Sequence, residues 1–167
     1  MKRAITTALA AAAILFAGAF GAPAAAAAAE KPATPDPQIT AMLDAVPGGV
    51  VIDAYHAVWP ELDMEMIVAA PQESSSASRS SAALASVGAC ASGKVCAFSL
   101  SATNGAKLSW GTCNTSYPVG TFVVRSIADA RSSGYMQAKY GTTVRATAYA
   151  GSWTNVYGSV SRITCVS

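Results

Sequence analysis

Cys90-Ala91-Ser92-Gly93-Lys94-Val95-Cys96-Ala97-Phe98-Ser99-Leu100, followed closely by Asn104-Gly105, is the stretch on which the fold turns. From Val95 to Leu100 the apolar residues alternate, so that Cys96, Phe98 and Leu100 share one face of an extended strand. Asn104-Gly105 is hairpin-turn chemistry, since both residues tolerate the left-handed backbone a tight turn requires. Leu108 and Trp110 then supply the returning strand. Downstream the pattern repeats: strands are predicted at Phe122–Ile127, Tyr135–Tyr140, Val144–Tyr149, Thr154–Tyr157 and Val160–Val166, punctuated by Gly134, Gly141, Gly151 and Gly158. Short strands at such spacing imply an all-β antiparallel sandwich or barrel over residues 88–167.

A domain of this size is marginal on its core alone, so the four cysteines matter. Of the three possible pairings, the spacing favours Cys90 with Cys96, a short local loop around Gly93, which leaves Cys113 for Cys165. The chain-entropy estimate assigns roughly 4 kcal/mol to the long bridge and roughly 2 kcal/mol to the short one.

Upstream, Pro71 to Val87 is dominated by Ser and Ala without usable periodicity and reads as a flexible linker, residues 71–87. Residues 30–70 read as an acidic leader. Asp36-Pro37 supplies an N-cap and a first-turn proline for a helix, Gln38–Ala45, which Pro47-Gly48-Gly49 stops. Val50–Ile52 and Met64–Val68 follow as two strands, giving a short helix plus hairpin that either docks on the next domain or stays marginal. Met1-Lys2-Arg3, the apolar run Ala4–Phe20 and the small residues to Ala29 form an expected signal peptide, residues 1–29, with cleavage between Ala24 and Ala29. The first cysteine is Cys90, which disfavours a lipoprotein. A secreted, extracellular protein is expected, with no membrane association after cleavage.

Charge divides the chain at the linker. Residues 30–87 hold eight acids against Lys31 and Arg79, a net charge of −6, whereas residues 88–167 hold seven cations against Asp129 alone, a net charge of +6. The two halves either neutralise one another or leave a basic surface for an anionic partner such as a cell-wall polymer; the cations form no run along the sequence, and no nucleic-acid partner is expected.

Cys90-Ala-Ser-Gly-Lys-Val-Cys96-Ala-Phe98 resembles the opening motif of the streptomycete metalloproteinase inhibitor-like family, whose members have a βγ-crystallin-like fold. Phe98 with Gly105 seven residues later is similar to the aromatic-x6-Gly hairpin of a crystallin Greek key, and Leu108-Ser109-Trp110 with Cys113 continues the likeness. Arg125-Ser126-Ile127-Ala128-Asp129 followed by Tyr135–Tyr140 resembles a further stretch and strand of the type inhibitor. Pro47-Gly48-Gly49, Trp59 and Met64–Val68 are similar to leaders of actinobacterial secreted proteins. The resemblance covers residues 88–167 and implies a crystallin-like Greek-key sandwich; inhibition of a secreted metalloprotease is the expected function, with no cofactor and a monomer expected. The chain lacks the family's second local disulfide in its later half, so no reactive loop carries over residue by residue.

Catalytic chemistry finds little support. His56 is the only histidine, and its sequence neighbours Asp53, Glu61 and Asp63 have no metal-ligand spacing. Asp129 is the only carboxylate side chain after residue 87, which excludes paired-carboxylate hydrolysis there. Ala128-Asp129-Ala130-Arg131-Ser132-Ser133 falls one acid short of a crystallin-type calcium motif and carries a cation inside it. No catalytic residue and no metal site are therefore expected. Two loops are candidates for an inhibitory surface: Ser99–Gly105 with Asn104, and Asn114–Thr121 with Tyr117, Pro118 and Val119. Trp153 and Asn155 are the candidate glycan contacts, in keeping with the alternative of a wall- or glycan-binding module.

Overall fold

Asp36 caps the helix it was expected to cap. In a computed structural model that describes residues 34–70 and 86–167, its Oδ1 accepts from the Gln38 amide at 2.8 Å, and Pro37 opens α1 (Pro37–Ala45). Ile39 and Met42 lie one turn apart on the inner side of α1 and are fully buried. The Trp59 indole donates to the Val46 carbonyl at 2.7 Å, which fastens the end of the helix to the following strands. Gly49 is required there, because a side chain would enter the Trp59 ring and Leu43. The expected signal peptide and nearly all of the expected linker lie outside the described residues.

The leader holds three strands where a two-stranded hairpin was expected: β1 (Val50–Asp53), β2 (His56–Trp59) and β3 (Met64–Ile67). The stretch read as a connection is β2, which turns Ala57 and Trp59 inward. A two-residue turn joins β1 to β2, and a single 3-10 turn at Pro60–Leu62 leads to β3. The leader then docks. β3 pairs with β5 (Lys107–Trp110) in the register Met64–Trp110 and Met66–Leu108.

Eight strands follow the linker, with β5 second: β4 (Val95–Phe98), β6 (Thr115–Pro118), β7 (Ser126–Asp129), β8 (Tyr135–Tyr140), β9 (Thr143–Tyr149), β10 (Ser152–Asn155) and β11 (Arg162–Val166) complete the set. All pairings are antiparallel. A seven-stranded sheet runs β1-β2-β3-β5-β4-β7-β10 and a four-stranded sheet runs β6-β11-β8-β9. The molecule is thus mostly β, two antiparallel sheets and one short helix.

Three of the expected strands shift: Thr154–Tyr157 is observed as Ser152–Asn155, Val160–Val166 begins at Arg162, and Phe122–Ile127 moves to Ser126–Asp129. Just before Ser126 the Arg125 amide donates to the Phe98 carbonyl at 2.8 Å, and Thr115–Pro118, expected in a loop, is a strand paired with β11. β6 was hidden because only Tyr117 of its four residues is buried, the pattern of an edge strand whose proline tolerates the missing partner.

The main core lies between the sheets and draws on both parts of the chain: Ile39, Met42, Trp59 and Met66 pack in one cluster with Leu108, Trp110, Met136 and Ile163. β4 is buried on both faces. Val95 and Ala97 join the main core, while Cys96 and Phe98 join a smaller cluster with Cys90, Ala128 and Ala130. Leu100 does not continue that inner face, since β4 ends at Phe98 and Leu100 is 57% exposed. The disulfides are Cys90–Cys96 and Cys113–Cys165.

Candidate functional site

The loop from Ser99 to Gly105 is built by short polar side chains that replace a sheet ladder. The Ser99 hydroxyl accepts from the Ala106 amide at 2.8 Å, and the Leu100 amide donates to the Asn104 carbonyl at 3.1 Å. Ser126 enters from β7: its hydroxyl donates to the Leu100 carbonyl at 2.7 Å and accepts from the Thr103 amide at 3.0 Å. Asn155 enters from β10, with Oδ1 accepting from the Ala102 amide at 3.0 Å. Inside the loop, Asn104 Nδ2 donates to the carbonyls of Ser101 and Ala102 at 3.1 and 3.0 Å.

This bracing holds an unfavourable backbone. Ala102 and Thr103 are consecutive non-glycine residues at φ of 54° and 60°, a conformation that costs of order 1–3 kcal/mol per residue and persists only where surrounding structure over-determines it. Thr103 is buried, while Leu100 is held outward. Ser99 also lines a groove of about 300 Å³ with Met42, Met66, Phe122 and Val123. The leader helix therefore forms part of the same face.

The other sequence-derived candidates separate. Asn104 is exposed and belongs to the braced loop. Tyr117 and Val119 are not presented to a partner, which corrects the expectation for Asn114–Thr121: Tyr117 stacks on Trp110 with centroids 5.3 Å apart, its hydroxyl donates to the Thr112 carbonyl, and Val119 is fully buried. Pro118 is exposed on β6 opposite Arg162. Burial, reinforced by the Asp63 carboxylate, pushes the Tyr117 phenol above its ordinary pKa. Trp153 stands out on β10 with its side chain half exposed, but Asn155 is turned to the loop as a brace, so the two do not form one glycan-contacting pair.

His56 lies opposite Asp53 in the β1–β2 ladder, but its imidazole meets Glu65. Its Nε2 lies 2.9 Å from Glu65 Oε1, and the other oxygen of Glu65 accepts from the Ser109 hydroxyl at 3.2 Å. The carboxylate thus stands between serine and imidazole, so the imidazole cannot take the serine proton, as a hydrolytic triad requires. Asp53 instead accepts from the Tyr55 amide, and Asp63 accepts from Lys94 at 3.3 Å and from Thr112 at 3.0 Å, tying leader to domain. Asp129 is fully buried and both of its oxygens are held by Arg131, at 2.9 and 2.6 Å. The guanidinium occupies the carboxylate that a calcium motif would have used. Among the described residues, no three His, Cys, Asp or Glu side chains are grouped to hold a metal.

Sequence reasoning missed Ser126 and Asn155 as braces. Ser126 is a fully buried small polar residue beside Ile127 and Ala128, whereas Asn155 sits in the polar strand Ser152–Asn155 and carries no such signal. Comparison with protein-family models, curated proteins and solved structures finds no match.

Proposed function

We propose that the protein is a secreted, non-catalytic inhibitor of metalloproteases that acts through the Ser99–Gly105 loop. The observation that carries this reading is the over-determined backbone at Ala102 and Thr103, which offers Leu100 outward from a loop fixed by Asn104, Ser126 and Asn155. A loop already held in one conformation loses little entropy on binding, and this preorganisation is what a substrate-like inhibitor requires. Its two ends are the paired strands β4 and β5, so a cut within the loop leaves both new termini in place. Leu100 is the apolar anchor for a specificity pocket.

The metalloprotease class rests on the resemblance of residues 90–98. Strand order is in keeping with the crystallin-like part of that resemblance: β7 returns to lie beside β4, β11 returns beside β8, and the third strand of each set of four crosses to the other sheet, as a pair of Greek keys would require. Two disulfides suit an oxidising compartment, and no described helix is long and apolar enough to cross a membrane.

Titrating the chain into a thermolysin-type metalloprotease is the test. Stoichiometric loss of proteolysis is expected, and Leu100→Glu weakens it by at least about tenfold, since a charge replaces the apolar anchor. Undiminished proteolysis at micromolar excess of the chain overturns the proposal.

A further inference from the structure

The outer face of the four-stranded sheet concentrates the cations that the sequence disperses. Along β8 and β11 the inward side chains Met136, Ala138, Ile163 and Cys165 are buried, so Gln137, Lys139, Arg162 and Thr164 face outward. Register then sets the rows. Arg162 lies directly opposite Lys139, and Ser116, Thr164, Gln137 and Thr147 form the next row across all four strands. In the row beyond, Tyr135 lies opposite Tyr149, with ring centroids 6.3 Å apart, and Tyr149 is 66% exposed.

A bulge in the β8–β9 ladder falls beside Lys139, pairing it with Val144, and leaves Arg145 out of register and exposed. The Arg145 guanidinium sits 5.7 Å from the centre of the Tyr140 ring. Strands are spaced about 4.8 Å apart, so Lys139 on the middle strand lies within about one Debye length of both Arg162 and Arg145 at physiological ionic strength. Among the described residues no carboxylate pairs with any of the three; the domain's one acidic side chain, Asp129, is held by Arg131, and Glu61 lines a pocket with Ser116 of β6. Like charges directly opposite across a ladder are destabilising. The fold therefore accepts a local cost that an anion would remove.

We infer that this face binds an anionic polysaccharide. Charge complementarity requires the anion, and the company of the cations selects its class. A row of hydroxyls and an amide, with Gln137 Nε2 already donating to Thr147 Oγ1 at 3.4 Å, suits a ligand dense in hydroxyl groups, and exposed Tyr149 offers a ring for a sugar to stack upon. The rows run across all four strands, an extended surface that suits a polymer rather than a single small anion. It belongs to the opposite sheet from the Ser99–Gly105 loop, so it stands or falls separately from inhibition.

The test uses the chain from Glu30 to Ser167 on immobilised polygalacturonate, with neutral dextran and a single-stranded DNA oligomer as comparison probes. Retention on polygalacturonate that weakens as salt rises is expected, with none on dextran. The double variant Lys139→Gln/Arg162→Gln lowers affinity about tenfold or more, and Tyr149→Ala about threefold. Lys107→Gln, on the other sheet, leaves binding unchanged. Thermal unfolding guards against misfolding, because Lys139→Gln relieves repulsion and melts at or above the parent. No retention on polygalacturonate, retention untouched by the double variant, or DNA held at least as tightly with Tyr149→Ala without effect on either polymer overturns the inference.

Discussion

Asp129 and Arg131 carry a larger share of stability than their number suggests. Asp129 is fully buried, and the guanidinium that neutralises it also donates to the Val166 carbonyl at 3.0 Å, which ties β7 to the last strand. Removing the cation leaves a buried carboxylate unpaired, at a cost of about 3–5 kcal/mol, so Arg131→Gln should lower the urea midpoint far more than Arg162→Gln on the open face. Tyr117 gives a pH signature. Its folded pKa is raised, by burial first and by Asp63 second, so the folded chain holds that proton more tightly than the unfolded chain does. The stabilisation is complete below the ordinary value of 10.0 and is lost as pH climbs through the folded value. Urea unfolding followed upward from about pH 9 should show stability falling, and Tyr117→Phe should flatten that fall while losing about 1 kcal/mol at neutral pH with the bond to Thr112. At this scale the sequence was legible where a side chain acts on its own neighbours, as Asp36 does on Gln38. It was silent where the partner is distant, as for Ser126 and the Leu100 carbonyl.

Among the elements, the Ser99–Gly105 loop is a balance between strain and bracing. Ala102→Gly removes the steric cost of φ at 54° but frees the unfolded chain, so the net effect on stability is a gain of at most about 1 kcal/mol. Asn155→Ala takes the opposite course: it deletes the bond to the Ala102 amide, should cost about 1 kcal/mol in thermal unfolding, and should weaken protease inhibition more than it weakens the fold. An Asn155 variant that melts lower yet inhibits undiminished would separate the loop's rigidity from any inhibitory role. Elements with strong period-two alternation, such as β8, were legible to the residue. β2 and β6 were not. Ala57 is a weak apolar signal, and the four residues of β6 are strand only because β11 offers them a ladder, information that lies some 45 residues away along the chain.

For the whole molecule, the division by charge and composition at the linker does not correspond to a division of the core. The seven-stranded sheet takes three strands from the acidic leader, and residues 31–167 form one compact unit. Both disulfides join residues after 87, so the leader is held to the rest by β3–β5 pairing, the contacts of Asp63 with Lys94 and Thr112, the Ser109–Glu65 bond and apolar packing, apart from the chain itself. Cysteine removal and leader removal should consequently fail in different ways. Replacing Cys113 and Cys165 opens a loop with a sequence separation of 52 and should lower stability by about 4 kcal/mol, against about 2 kcal/mol for Cys90 and Cys96 with a separation of 6, with the native fold kept in both if enough stability remains. A chain beginning at residue 86 instead uncovers the β5 edge and the Leu108 and Trp110 side chains that Met64, Met66 and α1 help to bury. It should bind a hydrophobic dye and associate, because an uncovered edge beside apolar surface invites pairing with a second chain. Cutting the intact chain within residues 71–85 should have neither effect. The two pieces should co-elute in native size exclusion and separate only in denaturant, whereas spontaneous release of the acidic piece would mean that the leader is a detachable cover.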